Sequence, residues 1–117
     1  LVGEHKKLEY AAEILKQSEI GNTIKTMFSL DMLIEVLPAG SDKSVALKWL
    51  SEYLNVPLTS VLAVGDAEND IEMLKTAGYS VAMQNAYKHV KKYADYITEK
   101  NNDENGLTEA LEKFLDL

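Results

Sequence analysis

The chain is 117 residues long, enough for a single modest core. Nineteen acidic residues against twelve basic ones leave a net charge of −7, which argues against nucleic acid or an anionic membrane as the main partner, because both require a basic footprint. There is no cysteine, so neither a disulfide framework nor thiolate chemistry is expected, and no run of residues reaches the length of a membrane span; a cytoplasmic setting fits both.

The first residues, LVGEHKK, start at Leu1 rather than Met and read like the interior of a longer sequence. Residues 4–18 then predict an amphipathic helix, with Leu8, Ala11, Ala12 and Leu15 at i, i+3, i+4 and i+7. Gly21-Asn22 stops it. TIKTMF (23–28) and DMLIEVL (31–37) predict two strands joined as a hairpin, and Pro38 with Gly40 marks the best candidate domain boundary. Residues 43–54 form the next predicted helix, capped by Ser41 or Asp42, with Ala46, Leu47, Leu50 and Leu54 on one face and Trp49 and Tyr53 packing along its edge.

From there the pattern alternates. SVLAV (60–64) predicts a strand buried on both faces, DIEMLKTA (70–77) a helix ended by Gly78, and SVAM (80–83) a strand. Ala86 to Lys92 predicts a short helix, ADYIT (94–98) a short strand, and EKNNDEN a loop. A last helix follows, with Leu107, Ala110, Leu111, Phe114 and Leu115 in helical period. Such alternation implies an α/β fold, a parallel sheet with helices on its faces.

The chemistry concentrates in VLAVGDAENDIEML, residues 61–74. An apolar strand ends in Gly65-Asp66, and Asp70 follows on the first turn of a helix. Acids at the carboxyl end of a buried parallel strand lie where open α/β sheets bind ligands. Two carboxylates about 4 Å apart repel by roughly 4 kcal/mol at an effective dielectric of 20. A hard divalent cation, Mg²⁺ above all, relieves that repulsion. The other reading is a strand end and helix cap at Asp66, with Asp70 solvating the first turn.

Lys43, Asn69, Asn85-Ala86 and Asn105-Gly106 fall in order around these acids. Taken together, AGSDKSVALKWL, VLAVGDAENDIEMLKTAGYSVAMQNA, ADYIT and NNDENGLTEAL resemble the C-terminal portion of Cof-type phosphatases in the haloacid dehalogenase superfamily, over roughly residues 31–117. The resemblance implies the C-terminal part of a Rossmann-type parallel sheet with flanking helices (38–117), preceded by the tail of an α/β cap domain (1–37). It implies that Lys43 pairs with the nucleophile's carboxylate and the transferred phosphoryl group, and that Asp66 binds Mg²⁺ directly. By the same resemblance, Asp70 helps hold the metal's water shell or orients Lys43, Asn69 contacts the phosphoryl group or the loop beneath it, and Asn85 orders the loop near the site. Glu68, His5 and His89 are expected to be surface or structural residues. Two departures stand out: Ser44 where glycine is common, and Gln84 in VAMQNA.

The family's N-terminal DxD segment, which carries the nucleophile and the general acid and base, is not found here; upstream of Lys43 the only aspartates are Asp31 and Asp42. An Asp nucleophile forms a covalent aspartyl-phosphate, and removing the nucleophile from a group that acts as a unit can cost about 10⁶ in turnover. The chain alone is therefore expected to be inactive and to fold with an N-terminal half, either attached or supplied as a separate chain. Without that half, SVLAV would present an unpaired apolar edge, a route to self-association. The substrate class implied is a small phosphorylated metabolite. A non-catalytic binding module that needs a partner chain is the alternative. The phosphorylation domain of a cation pump, with a similar GDGxND block, is disfavoured by VAMQNA and ADYIT.

Overall fold

Leu8, Ala11, Ala12 and Leu15 lose exposure along one side of α1 (His5–Gln17), which packs on a two-stranded antiparallel sheet of β1 (Ile24–Leu30) and β2 (Leu33–Pro38). On the two strands Ile34 is almost fully buried, whereas Leu30 and Val36 are exposed. The computed structural model describes Leu1–Leu115. Asp116 and Leu117, the last residues of the expected core segment, lie outside the described residues. The chain divides into two compact units, Leu1–Ser41 and Asp42–Leu117, with the break shortly after the expected boundary at Pro38.

The second unit is the α/β part. It runs α2 (Lys43–Leu54), β3 (Leu62–Gly65), α3 (Ile71–Thr76), β4 (Tyr79–Ala82), β5 (Tyr96–Ile97) and α4 (Gly106–Phe114). The three strands are parallel in the order β3-β4-β5, with Gly65 opposite Ala82 and Ala82 opposite Ile97. Val81 and Ala82 on the central strand are fully buried. Ala63, Leu74 and Val90 form the core beneath, with Ile71, Met73 and Ala77 packed against it. At about 25 cal/mol per Å², fully burying the larger of these side chains, Leu74, Val81 and Val90, contributes roughly 1.5–3 kcal/mol each. Among the described residues β3 has no strand on its other side. No helix among them is long and apolar enough to cross a membrane.

Three expectations are corrected. Residues 86–92 do not form a helix: they make turns that end in a single 3₁₀ turn, Lys91–Tyr93. Hydrogen bonds from Ala86 N to Met83 O (2.9 Å) and from Tyr87 N to Asp66 O (3.2 Å) tie this stretch to the strand ends and override its helical propensity. The predicted face of α2 is also rotated. The residues of α2 that lose exposure are Ser44, Leu47 and Ser51, whereas Ala46, Leu50 and Leu54 stay exposed. Trp49 and Tyr53 do not pack along the helix edge. They are exposed and stack on one another, ring centroids 5.1 Å apart.

Candidate active site at the carboxyl ends of β3 and β4

Because the sheet is parallel, Asp66 after β3 and Asn85 after β4 emerge at the same end. The turn between β3 and α3 is built around Asp70. A Cβ on Gly65 would lie 2.5 Å from the Asp70 Cβ, so only glycine lets this carboxylate fold back beneath the strand end. Asp70 is 4 % exposed, and a carboxylate so buried requires partners. It has three. Its Oδ2 accepts from the backbone N–H groups of Asp66 (2.9 Å) and Ala67 (3.1 Å), and its Oδ1 accepts from Lys43 Nζ. Burial pushes the Asp70 carboxyl up, but the Lys43 ammonium and the two amides outweigh it and hold the group below the usual carboxylate range.

Lys43 opens α2, where the helix dipole disfavours a cation. Asp42 offsets this as the N-cap, its Oδ1 accepting from Ser44 N (2.8 Å) and Val45 N (3.2 Å). Ser44, one of the two departures, is buried and donates its hydroxyl to the same Asp42 oxygen. It thus reinforces the cap.

Asp66 is half-buried, and its Oδ2 accepts from Asn85 Nδ2 at 3.1 Å. The Asn85 Oδ1 in turn accepts from the backbone N–H of Asn102 at 3.0 Å. The Gln84 backbone is fixed from both sides: its N–H donates to Thr98 Oγ1 (2.9 Å), and its carbonyl accepts from Lys91 Nζ. Asn69 lies in the 3₁₀ turn Glu68–Asp70, and its Oδ1 is buried with no hydrogen-bond partner among the described residues. Glu68 is exposed. His5 contacts Asp31 in the first unit, and His89 stacks on Tyr87 at the surface.

The donors suit a hard cation in part. Asp66 commits one carboxylate oxygen to Asn85; its Oδ1 meets no hydrogen-bond donor among the described residues. Both Asp70 oxygens are engaged. No group of three or more His, Asp or Glu side chains placed to hold a metal gathers among the described residues. Mg²⁺ keeps several waters and is commonly bound through one or two carboxylates, so Asp66 fits one protein contact of such an ion.

The structure therefore joins Lys43 to Asp70, and Asp66 to Asn85, within one end of the sheet; Asn69 is not hydrogen-bonded to either pair. Sequence reasoning missed the Asn102 amide and the Thr98 hydroxyl. Neither carries a motif signature, and each is recognised only once β4 and β5 are paired.

The sequence pattern of the haloacid dehalogenase-like hydrolases matches residues 1–111. The chain is 35% identical over 109 residues to the 5-amino-6-(5-phospho-D-ribitylamino)uracil phosphatase YwtE of Bacillus subtilis, covering 93% of this chain and 37% of that protein. It is 39% identical over 82 residues to the phosphoglycolate phosphatase of Archaeoglobus fulgidus, covering 70% of this chain and 36% of that protein. The crystal structure of a haloacid dehalogenase-like hydrolase from Bacteroides thetaiotaomicron superposes with a TM-score of 0.79 at 40% identity, covering 96% of this chain and 41% of that one. The chain thus spans less than half the length of these relatives.

Proposed function

Since the chain belongs to the haloacid dehalogenase-like hydrolases, whose relatives here are phosphatases, we propose that it is the C-terminal part of a Mg²⁺-dependent phosphatase acting on small phosphorylated metabolites. The observation that carries this reading is the contact of Lys43 with the buried Asp70 carboxylate, beside Asp66 at the carboxyl ends of the parallel strands. Residues 1–37 are read as the tail of the cap domain and 38–117 as the C-terminal part of the core domain.

In this reading, the nucleophile is an aspartate outside the chain. Its carboxylate oxygen attacks phosphorus, the bond to the leaving-group oxygen breaks, and that oxygen takes a proton from the second aspartate of the same DxD segment, which later accepts one from the attacking water. Water then hydrolyses the aspartyl-phosphate, releasing inorganic phosphate and restoring the carboxylate. Lys43, positioned by Asp70, places positive charge against the transferred group, where a preorganised cation is worth most. Asp66 would hold Mg²⁺, and Asp70, with both oxygens engaged, positions Lys43. The ion, when bound, would supply neutralising charge to the phosphoryl oxygens. Asn69 offers its amide to the phosphoryl group or the loop below, and Asn85 orders the loop beside it. Relatives that act on a ribityl phosphate and on phosphoglycolate support a small phosphate monoester as substrate.

The test is phosphate release by the intact protein from a panel of phosphorylated metabolites, with Mg²⁺ and with EDTA. Activity should require Mg²⁺ and fall by about 10²–10³-fold or more in Asp66→Ala and in Lys43→Ala. Activity that survives Asp66→Ala would remove the site assignment. An intact protein that hydrolyses no ester would leave the non-catalytic binding module as the better reading.

A further inference from the structure

We infer that Asn85 is a positioning residue for Asp66, a two-ended bridge that fixes which carboxylate oxygen Asp66 offers to a cation. The inference rests on the reading of Asp66 as a cation ligand. It goes further by assigning that ligand's orientation to Asn85 and to the loop before α4.

The bridge has a defined polarity. Asn85 Nδ2 lies 3.1 Å from Asp66 Oδ2, and Asn85 Oδ1 lies 3.0 Å from the Asn102 nitrogen. A carboxylate only accepts and a backbone N–H only donates, so these two partners admit one orientation of the amide. Aspartate at this position would set oxygen against oxygen, and an apolar residue would leave both ends unmet.

Both anchors are themselves held. On the near side, Gln84 N–H donates to Thr98 Oγ1 (2.9 Å), and Tyr87 N–H donates to the Asp66 carbonyl (3.2 Å). On the far side, Asn101 Oδ1 accepts from Asp103 N (2.8 Å) and the Asn101 carbonyl from Gly106 N (2.9 Å); Asn105 turns the chain into α4 at φ 64°. A freely rotating carboxylate would present either oxygen. With Oδ2 engaged, Asp66 presents Oδ1. Outer partners that orient a metal ligand in this way typically contribute about 10–100-fold to metal affinity.

The experiment is a Mg²⁺ titration of the intact protein, read by calorimetry and by the amide NMR shifts of Asp66 and Ala67. The thermal midpoint of the metal-free protein serves as the fold control. Asn85→Ala removes the whole bridge. Asn102→Pro removes the far N–H, together with an exposed side-chain hydrogen bond from Asn102 Nδ2 to Asp103 Oδ1 (3.2 Å), and leaves Asn85 in place: Asn101 is extended (φ −82°, ψ −177°), as a residue before proline must be, and proline is tolerated at the start of a helical turn. Asn85→Ala should weaken Mg²⁺ binding about ten-fold or more. Asn102→Pro should weaken it in the same direction by a smaller factor, with the metal-free midpoint nearly unchanged. Wild-type affinity in Asn85→Ala, alongside lost binding in Asp66→Asn, would overturn the inference and leave Asp66 as a ligand. Weak binding in Asn85→Ala with wild-type affinity in Asn102→Pro would overturn the two-ended bridge. If the wild type binds no Mg²⁺, or Asp66→Asn binds as the wild type does, the assignment of Asp66 itself fails.

Discussion

Asp70 shows how one side chain shapes this site. Its buried carboxylate receives two amides and Lys43, and it fits only because residue 65 has no Cβ. Gly65→Ala would force a methyl group to within 2.5 Å of the Asp70 Cβ. Overpacking of this kind costs about 1–3 kcal/mol, so the denaturant midpoint should fall accordingly. Because Asp70 must move, the Lys43 contact is lost as well, and activity of the intact protein should drop with stability. A Gly65→Ala protein with an unchanged midpoint would show that the turn has room to spare. The acids themselves were legible in the sequence, since a Gly-Asp at the end of an apolar run is unusual for a core strand. That Asp70 turns inward to serve backbone amides and Lys43 was not legible, because helical spacing alone leaves its direction open.

At the scale of elements, β5 and α4 are joined through Glu109. Its carboxylate accepts from Glu99 N (2.9 Å), Lys100 N (3.0 Å) and the Tyr96 hydroxyl (2.7 Å). The Glu99 amide, followed by the Tyr96 hydroxyl, holds the Glu109 carboxyl below its usual range. A carboxylate depressed in the folded state contributes stability that is fully present above its unfolded pKa, about 4.3, and is lost as pH falls through the folded value. Glu109→Gln should therefore lower the thermal midpoint at pH 7, with the gap to wild type closing as pH drops below about 4. Melts from pH 7 down to pH 3 measure this, and a gap independent of pH would exclude the linkage. The α4 period was readable from Leu107, Ala110, Leu111 and Phe114. The stretch after β4 was not: Ala86 to Lys92 has the composition of a helix, yet its backbone is claimed by Met83 and Asp66 and its Val90 by the core.

For the second unit as a whole, the apolar surface left uncovered is the dominant feature. Leu50 and Leu54 remain 43% and 57% exposed, Trp49 and Tyr53 more so, and β3 has an open edge among the described residues. The segment 1–117 studied alone should therefore self-associate, with a sedimentation coefficient that rises with concentration. Leu54→Glu with Trp49→Glu should suppress that rise. A concentration-independent species before substitution would exclude it. The alternating pattern was enough to read the parallel sheet, but the covered face of α2 depends on what packs against it, and periodicity alone does not say which side that is.

The contacts that assemble the site also bear on the order of folding. Lys43 to Asp70, Asp66 to Asn85 and Asn85 to Asn102 span 27, 19 and 17 residues of chain. Loop closure scales with the logarithm of length, so these spans differ in entropic cost by less than about 0.5 kcal/mol. Chain entropy does not rank them. Each of them is fixed to an end of β3 or β4, so the moment at which those two strands pair sets when the site takes shape.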